Sequence, residues 1–234
     1  MLQSRKLLIF KQLKHGFTTK ALGNLNIRQN PKAKDRFAHL VSLVKGSIVG
    51  FEQVHGAKLA LITSKKQTDI IPAVDGGMTT VPGCFLTVNT ADCVPVLFFD
   101  PINNVVGSIH AGWKGMIRGI LSESVRVLSS MGSDPRNIIA VLGPHINSCC
   151  YIVDQDLVRL FVATFRDSRV AYKVDNAWHL DLTKAVVANL LQEGFRYEHI
   201  DYFVSCTSCQ SDLFYSFRRD KSVRGEMAAF IGMR

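Results

Sequence analysis

Apolar residues recur at helical spacing in four stretches of the chain. Between 116 and 131, Ile117, Ile120, Leu121, Ser124, Val125 and Leu128 share one face, and Gly132 with Asp134-Pro135 stops the pattern. A second helix is predicted after Asn30-Pro31, through "KAKDRFAHLVSLVK" to Gly46, with proline near its start and glycine past its end. A third begins near Asp154 and carries Leu157, Val158, Phe161 and Phe165 on one side. A fourth starts at the capping residue Asp181 and ends at Gly194. Between them lie strand-type runs at 47–54, 57–63, 84–90, 94–99, 104–110, 137–142, 169–174, 200–204 and 212–217, bounded by Gly, Pro, Asn or Asp. Strands come first in pairs and triples, then mixed with helices. That order predicts an α+β fold with mixed β-sheets flanked by helices, in a single domain over 1–234.

Composition narrows the class. Of 234 residues, 47% are apolar and 20% charged, enough to bury a core. The longest apolar runs, such as "VPVLFF" at 94–99, are too short to span a bilayer. The apolar run Leu7 to Phe10 is too short for a secretory signal, so a cytoplasmic protein with no membrane partner is expected. The net charge is +9, but the 28 basic residues are scattered, which argues against a nucleic-acid arm. A basic surface still attracts phosphate-bearing small molecules. Six cysteines in a chain of this size with no export signal read as reduced or metal-bound thiols.

The chemistry gathers in "TADCVPVLFFDPINNVVGSIHAG". Two strand-type runs flank a strong turn, Asp100-Pro101-Ile102-Asn103-Asn104. In a hairpin, facing residues have position numbers of constant sum. A turn centred between 101 and 102 sets that sum at about 203 and places Cys93 opposite His110, with Cα atoms about 4.5–5.5 Å apart. A thiolate and an imidazole there suit one ion. His55, at a strand end in "FEQVHGAKL", is a third candidate ligand, but spacing does not place it near the hairpin. Three protein ligands would leave a fourth position open, as in catalytic zinc. "CTSC" at 206–209 has knuckle spacing without a matching second knuckle. The neighbours Cys149 and Cys150 suit neither a local disulfide nor a knuckle. "FYSFRRD" at 214–220 reads either as a strand entering a basic turn or as an anion clamp. His145, in the loop 143–151, has no assigned role.

Together these segments resemble the YfiH-type family, also called the laccase-domain or multicopper polyphenol oxidase family. The resemblance runs in order through "HGFTTK" and "GNLNIR" (15–28), "EQVHG" (52–56), "DGGMTT" (75–80), "TVNTADCVPVLFFD" (87–100), "HAGWKG" (110–115), "LGPHINSCCY" (142–151) and "CTSC" to "FYSFRRD" (206–220). It implies that His55, Cys93 and His110 hold a metal, usually zinc, with copper as the alternative. It implies a fold similar to the catalytic domain of cytotoxic necrotising factor toxins. It also implies purine nucleoside phosphorylase activity on adenosine, inosine and methylthioadenosine, with adenosine deamination as a second activity. The family's older label is copper-dependent phenol oxidation, and some members are linked to trimming cell-wall precursors. The chain departs from the family pattern at Lys20 and Lys114, where arginine is common, at Ile152, where glutamate is usual, and across 222–227.

Each activity asks for particular residues. A multicopper cluster needs histidines two apart, and none of the seven here are so placed. Phosphorolysis needs cations for phosphate, for which Lys114 and Arg218 are candidates. Trp113 stacks on a base or fills core. Asp92 holds a ligand histidine or acts as acid/base. Gln53 shares a strand face with His55 and reaches the substrate. Zinc-assisted deamination uses a nearby glutamate, but Glu52, the one acidic residue close to His55, points the other way. Two further readings stay open: a Cys93–His110 hydrolase couple and a non-enzymatic zinc-binding protein.

Overall fold

The computed structural model describes residues 1–26, 32–33, 35–36, 46–65, 70–221 and 225–234. Within them, fourteen strands form three sheets. The six-stranded sheet runs in the order β13 (Ile200–Tyr202), β9 (Ile139–Leu142), β7 (Val94–Asp100), β8 (Val105–Ala111), β5 (Gly76–Thr79) and β3 (Ala60–Ile62). The five-stranded sheet runs β1 (Leu13–Phe17), β14 (Met227–Met233), β6 (Cys84–Thr90), β2 (Ser47–Phe51) and β4 (Ile70–Ile71). Both mix parallel and antiparallel pairs. A small antiparallel sheet joins β10 (Ile152–Val153), β12 (Ala177–Leu180) and β11 (Ala171–Val174). This is the mixed-sheet α+β architecture expected from the sequence.

The run "VPVLFF" is continuous because β7 is covered on both faces. Val94, Val96 and Phe98 pack under the helices, whereas Leu97 and Phe99 face the five-stranded sheet. The helices α3 (Ile120–Ser130), α4 (Gln155–Phe165) and α5 (Leu182–Gln192) close the first of these cores with Leu121, Val125, Phe161, Val186 and Leu190. Their starts follow local chemistry. Asp154 accepts from the Leu157 N–H at 2.7 Å and Asp181 from the Lys184 N–H at 2.9 Å, each satisfying an orphan donor of the first turn. A short α1 (Arg5–Leu8) precedes β1. Among the described residues no helix is long and apolar enough to cross a membrane.

Several expectations need correction. The segment 116–131 is two helices, α2 (Trp113–Ile117) and α3, separated at Gly119, whose φ of 85° breaks the helical path. The segment 212–217 is not a strand; it turns into α6 (Phe217–Asp220), which Ser216 caps. β14 gave no sequence signal, because "MAAFIGM" lacks alternation: all seven residues are buried, between β1 and β6. The helix expected over 31–46 lies largely outside the described residues; 32–33 and 35–36 are helical.

The hairpin forms, but in a different register. Asp100 pairs with Val105 and Pro95 with His110, so the sum is 205. The turn is four residues long because Asp100 Oδ1 accepts from the Ile102 and Asn103 N–H groups at 2.8 and 3.2 Å, and Asn104 takes a φ of 53°. A shift of two preserves the face of every side chain, where a shift of one would invert it. Cys93 therefore stays on the His110 side, as a diagonal neighbour and not a direct partner.

Phe98 is fully buried, with its ring 6.1 Å from that of Phe195. Phe98→Ala is expected to cost about 3–5 kcal/mol in denaturant unfolding, and Asp154→Ala, which removes one cap, about 1 kcal/mol.

Candidate metal centre

Three segments meet at one end of the β7–β8 hairpin. Cys93 closes the bend before β7, His110 lies near the end of β8, and His55 sits in the loop after β2. Their ligand atoms all lie within 4.8 Å of one another. Cys93 Sγ is 3.9 Å from His55 Nε2, and the two imidazole rings stand nearly perpendicular, centroids 4.8 Å apart. The His110 ring is buried, Cys93 is half-buried and His55 is exposed, so the cluster opens toward solvent on the His55 side.

Asp75 organises this arrangement. Its carboxylate is fully buried. Oδ1 accepts from the His55 N–H at 2.9 Å, and Oδ2 from the Gly56 and Val54 N–H groups at 2.7 and 3.2 Å. Oδ1 also lies 2.9 Å from His110 Nδ1, which leaves Nε2 for the cluster. Burial works against its charge, but the hydrogen bond from His110 and those from Gly56 and Val54 hold Asp75 below the usual carboxylate range. The sequence reading gave Asp75 no role, although it opens the quoted "DGGMTT"; an acid placed directly before two glycines at a strand start was the available signal.

Electrostatics pair the thiol with the buried imidazole. Burial opposes ionisation of Cys93, but the charge and hydrogen bond of His110, with help from His55, bring it down to about 6. Burial likewise opposes protonation of His110, yet the Cys93 charge and Asp75 bring it up to about 9. Without a cation the favoured state is a thiolate beside an imidazolium.

The glycines of "HAGWKG" are explained by close approach. A Cβ at Gly112 would stand 2.8 Å from His55 Cδ2, 3.1 Å from Cys93 Sγ and 3.3 Å from His110 Cε1, in the space the three ligands share. A Cβ at Gly115 would meet the Gly56 carbonyl oxygen at 2.6 Å, so this glycine lets α2 lie against the His55 loop.

The other sequence-nominated residues are dispersed around this centre. Asp92 is buried and turns toward the C-terminal segment, accepting from Thr207 Oγ1 at 2.6 Å, Ser216 Oγ at 3.0 Å and the Arg218 N–H at 2.6 Å. The carboxylate on His110 is that of Asp75. The Gln53 amide is engaged with the Asn89 backbone, donating to its carbonyl at 2.7 Å and accepting from its N–H at 2.9 Å. Trp113 is partly buried against the helical core, and Lys114 Nζ lies 5.5 Å from its ring centroid. The Arg218 guanidinium donates to the Ile152 carbonyl at 2.7 Å and stacks over Tyr151. His145 Nδ1 donates to the Gly143 carbonyl at 2.8 Å, and its Nε2 accepts from Thr183 Oγ1 at 2.9 Å, a structural role for a neutral ring. Arg118, not nominated from sequence, donates to the His55 carbonyl at 3.1 Å. It borders an open hollow of about 570 Å³ that Lys58, Ser122 and Arg126 also line.

Residues 15–234 match the family described as multi-copper polyphenol oxidoreductase laccase. The chain is 32% identical over 253 aligned positions to the purine nucleoside phosphorylase YlmD of Bacillus subtilis, covering 96% of this chain and 90% of that protein. It is 36% identical over 194 positions to the purine nucleoside phosphorylase YlmD of Geobacillus stearothermophilus, with 78% and 71% covered. The crystal structure of YlmD from Geobacillus stearothermophilus superposes with a TM-score of 0.87 at 32% identity, over 96% of this chain and 93% of that one. The crystal structure of the Bacillus licheniformis hypothetical protein YfiH gives 0.86 at 30% identity, over 96% and 94%. Through this match and these relatives, the chain belongs to the multi-copper polyphenol oxidoreductase laccase family, the laccase-domain or YfiH family.

Proposed function

We propose that this protein is a zinc-dependent purine nucleoside phosphorylase, acting on adenosine, inosine and methylthioadenosine with adenosine deamination as a side activity. The observation that carries the reading is the convergence of His55, Cys93 and His110 within 4.8 Å. The names of the relatives supply the substrate class.

The donor set suits a single borderline-soft cation: one thiolate favoured by its neighbours and two imidazoles, one oriented by a buried carboxylate. A multicopper cluster lacks its ligands, since no two histidines are separated by one residue. When bound, zinc supplies a Lewis acid with an open coordination position. The protein's own groups do the rest. Asp75 holds His110 in one tautomer and fixes the 54–56 loop. Gly112 keeps the shared space clear of side chains. Phosphorolysis joins a phosphate oxygen to ribose C1′ while the bond from C1′ to the purine nitrogen breaks, its electron pair leaving with the base, which takes up a proton. Arg118 and Lys58 line the hollow beside the His55 loop and supply positive charge for phosphate, and Lys114 in α2 is a further candidate cation. Arg218 and Trp113 remain candidates for holding the nucleoside, Arg218 with its guanidinium already shared with Ile152. Asp92 and Gln53 act as positioning residues, one for the C-terminal segment and one for the strand leading to His55.

A second reading is favoured by the ionisation of the site. A thiolate at about 6 beside an imidazolium at about 9 is the resting state of a Cys–His hydrolase couple, with cell-wall precursors as candidate substrates.

Phosphate-dependent release of hypoxanthine from inosine, measured beside zinc content, tests the main reading. Cys93→Ser is expected to lose turnover together with the zinc of this centre. Full activity in metal-stripped wild-type protein would sink the zinc reading and favour the couple. Asp75→Asn removes acceptor capacity from a group serving four donors, and is expected to weaken zinc binding about 10–100-fold in competition with a chelator. The pH dependence follows from the two shifted groups. Below about 6 both Cys93 and His110 hold protons that a cation must displace; between about 6 and about 9 only His110 does. Zinc affinity therefore rises with pH, by about tenfold per unit across the upper window and more steeply below it, as a metallochromic titration would record.

A further inference from the structure

A second thiol-rich cluster lies outside this centre. The "CTSC" pair meets Cys149 and Cys150, which supply the half-site that the sequence around 206–209 lacks. The Sγ atoms of Cys149, Cys150, Cys206 and Cys209 all fall within 4.8 Å of one another. Cys149 and Cys150 are 3.9 Å apart, Cys149 and Cys209 3.5 Å, and Cys150 and Cys209 3.3 Å. A tetrahedron of thiolates at about 2.3 Å from a zinc ion has edges of about 3.8 Å, so these separations match those of a tetrathiolate cage.

We propose that Cys149, Cys150, Cys206 and Cys209 bind one zinc ion in a closed, structural site. The backbone is prepared for sulfur ligands. The Asn147 N–H donates to Cys206 Sγ at 3.4 Å, and the N–H groups of Ser208 and Cys209 also point at that sulfur, the pattern of a metal knuckle in which amides stabilise thiolate charge. The two segments are locked together independently of any metal. Thr207 N–H donates to the His145 carbonyl at 3.0 Å, and Asn147 Nδ2 to the Val204 carbonyl at 3.2 Å. The Ile146 N–H donates to the Asp92 carbonyl at 3.0 Å, while Thr207 Oγ1 donates to the Asp92 carboxylate. One residue thus anchors both cysteine-bearing loops. The Arg219 guanidinium donates to the carbonyls of Thr207 and Ser208 at 2.8 and 2.9 Å, beside a cage that would carry two net negative charges once zinc is bound. Binding converts four thiols to thiolates and releases four protons to solvent. With all four positions filled by sulfur, the ion has no place for substrate, and its role is to reinforce a junction of the 143–151 and 206–209 loops that hydrogen bonds already form.

The test is zinc stoichiometry in reduced, full-length protein, with cysteine reactivity mapped peptide by peptide. Wild type is expected to hold about two zinc ions per chain. Cys150→Ser/Cys209→Ser should hold about one and lose the intense tetrahedral thiolate absorption of the cobalt-substituted protein. Cys93→Ser should also hold about one but keep that absorption. In wild-type protein, which needs no mutation to fold, the four cysteines should resist alkylation until a chelator is added. Alkylation at equal rates with and without chelator would overturn the proposal, as would disulfides among the four in the freshly isolated protein.

Discussion

The Asp75 carboxylate, sealed from solvent, receives hydrogen bonds from the Val54, His55 and Gly56 amides and from His110 Nδ1. Burying an unpaired carboxylate would cost several kcal/mol. Four donors, one of them able to carry a positive charge, offset that cost and bind together segments remote in sequence. The loop after β2 and the end of β8 otherwise share no strand pairing. Asp75 is the side chain that ties the His55 loop directly to His110, and with Arg118 on the His55 carbonyl it sets the geometry of the three-ligand cluster.

Strain accumulates around the same point. His55 and Asp92 both adopt positive φ, 58° and 91°, in a region that costs a non-glycine residue roughly 1–3 kcal/mol. Each is held there by hydrogen bonds: His55 through its N–H to Asp75 and its carbonyl from Arg118, and Asp92 through Ile146, Thr207, Ser216 and Arg218. Asp92 also places Cys93, its neighbour in the chain. The residue that aims the thiol of one cluster is therefore the residue on which both loops of the tetrathiol cluster hang. Thr207, between Cys206 and Ser208, bonds to the Asp92 carboxylate, and Cys93 is the next residue in the chain.

Much of the frame was legible along the chain. The doubly buried β7, the β7–β8 hairpin and the Asp-capped helices α4 and α5 follow from local rules, because each is set by residues within a few positions of one another. The same locality put Cys93 and His110 on one face, since a two-residue change of register leaves the face unaltered. β14 was illegible, because a strand buried on every side shows no alternation, and so was the Gly119 break, because apolar spacing runs on across a residue whose φ turns positive.

The sequence by itself determined the periodic elements, the hairpin and the donor types available to a cation, because those depend on spacing along the chain. The family resemblance in the sequence grouped His55 with that pair, but spacing along the chain did not; only the tertiary structure showed the three side chains meeting, Asp75 and not Asp92 steadying His110, and Cys149 and Cys150 lying beside Cys206 and Cys209. The reason is physical. Those contacts join residues separated by about twenty to sixty positions, or by more than a hundred for Asp92 and the C-terminal segment. Their proximity comes from sheet order and from buried hydrogen bonds, which no local pattern encodes.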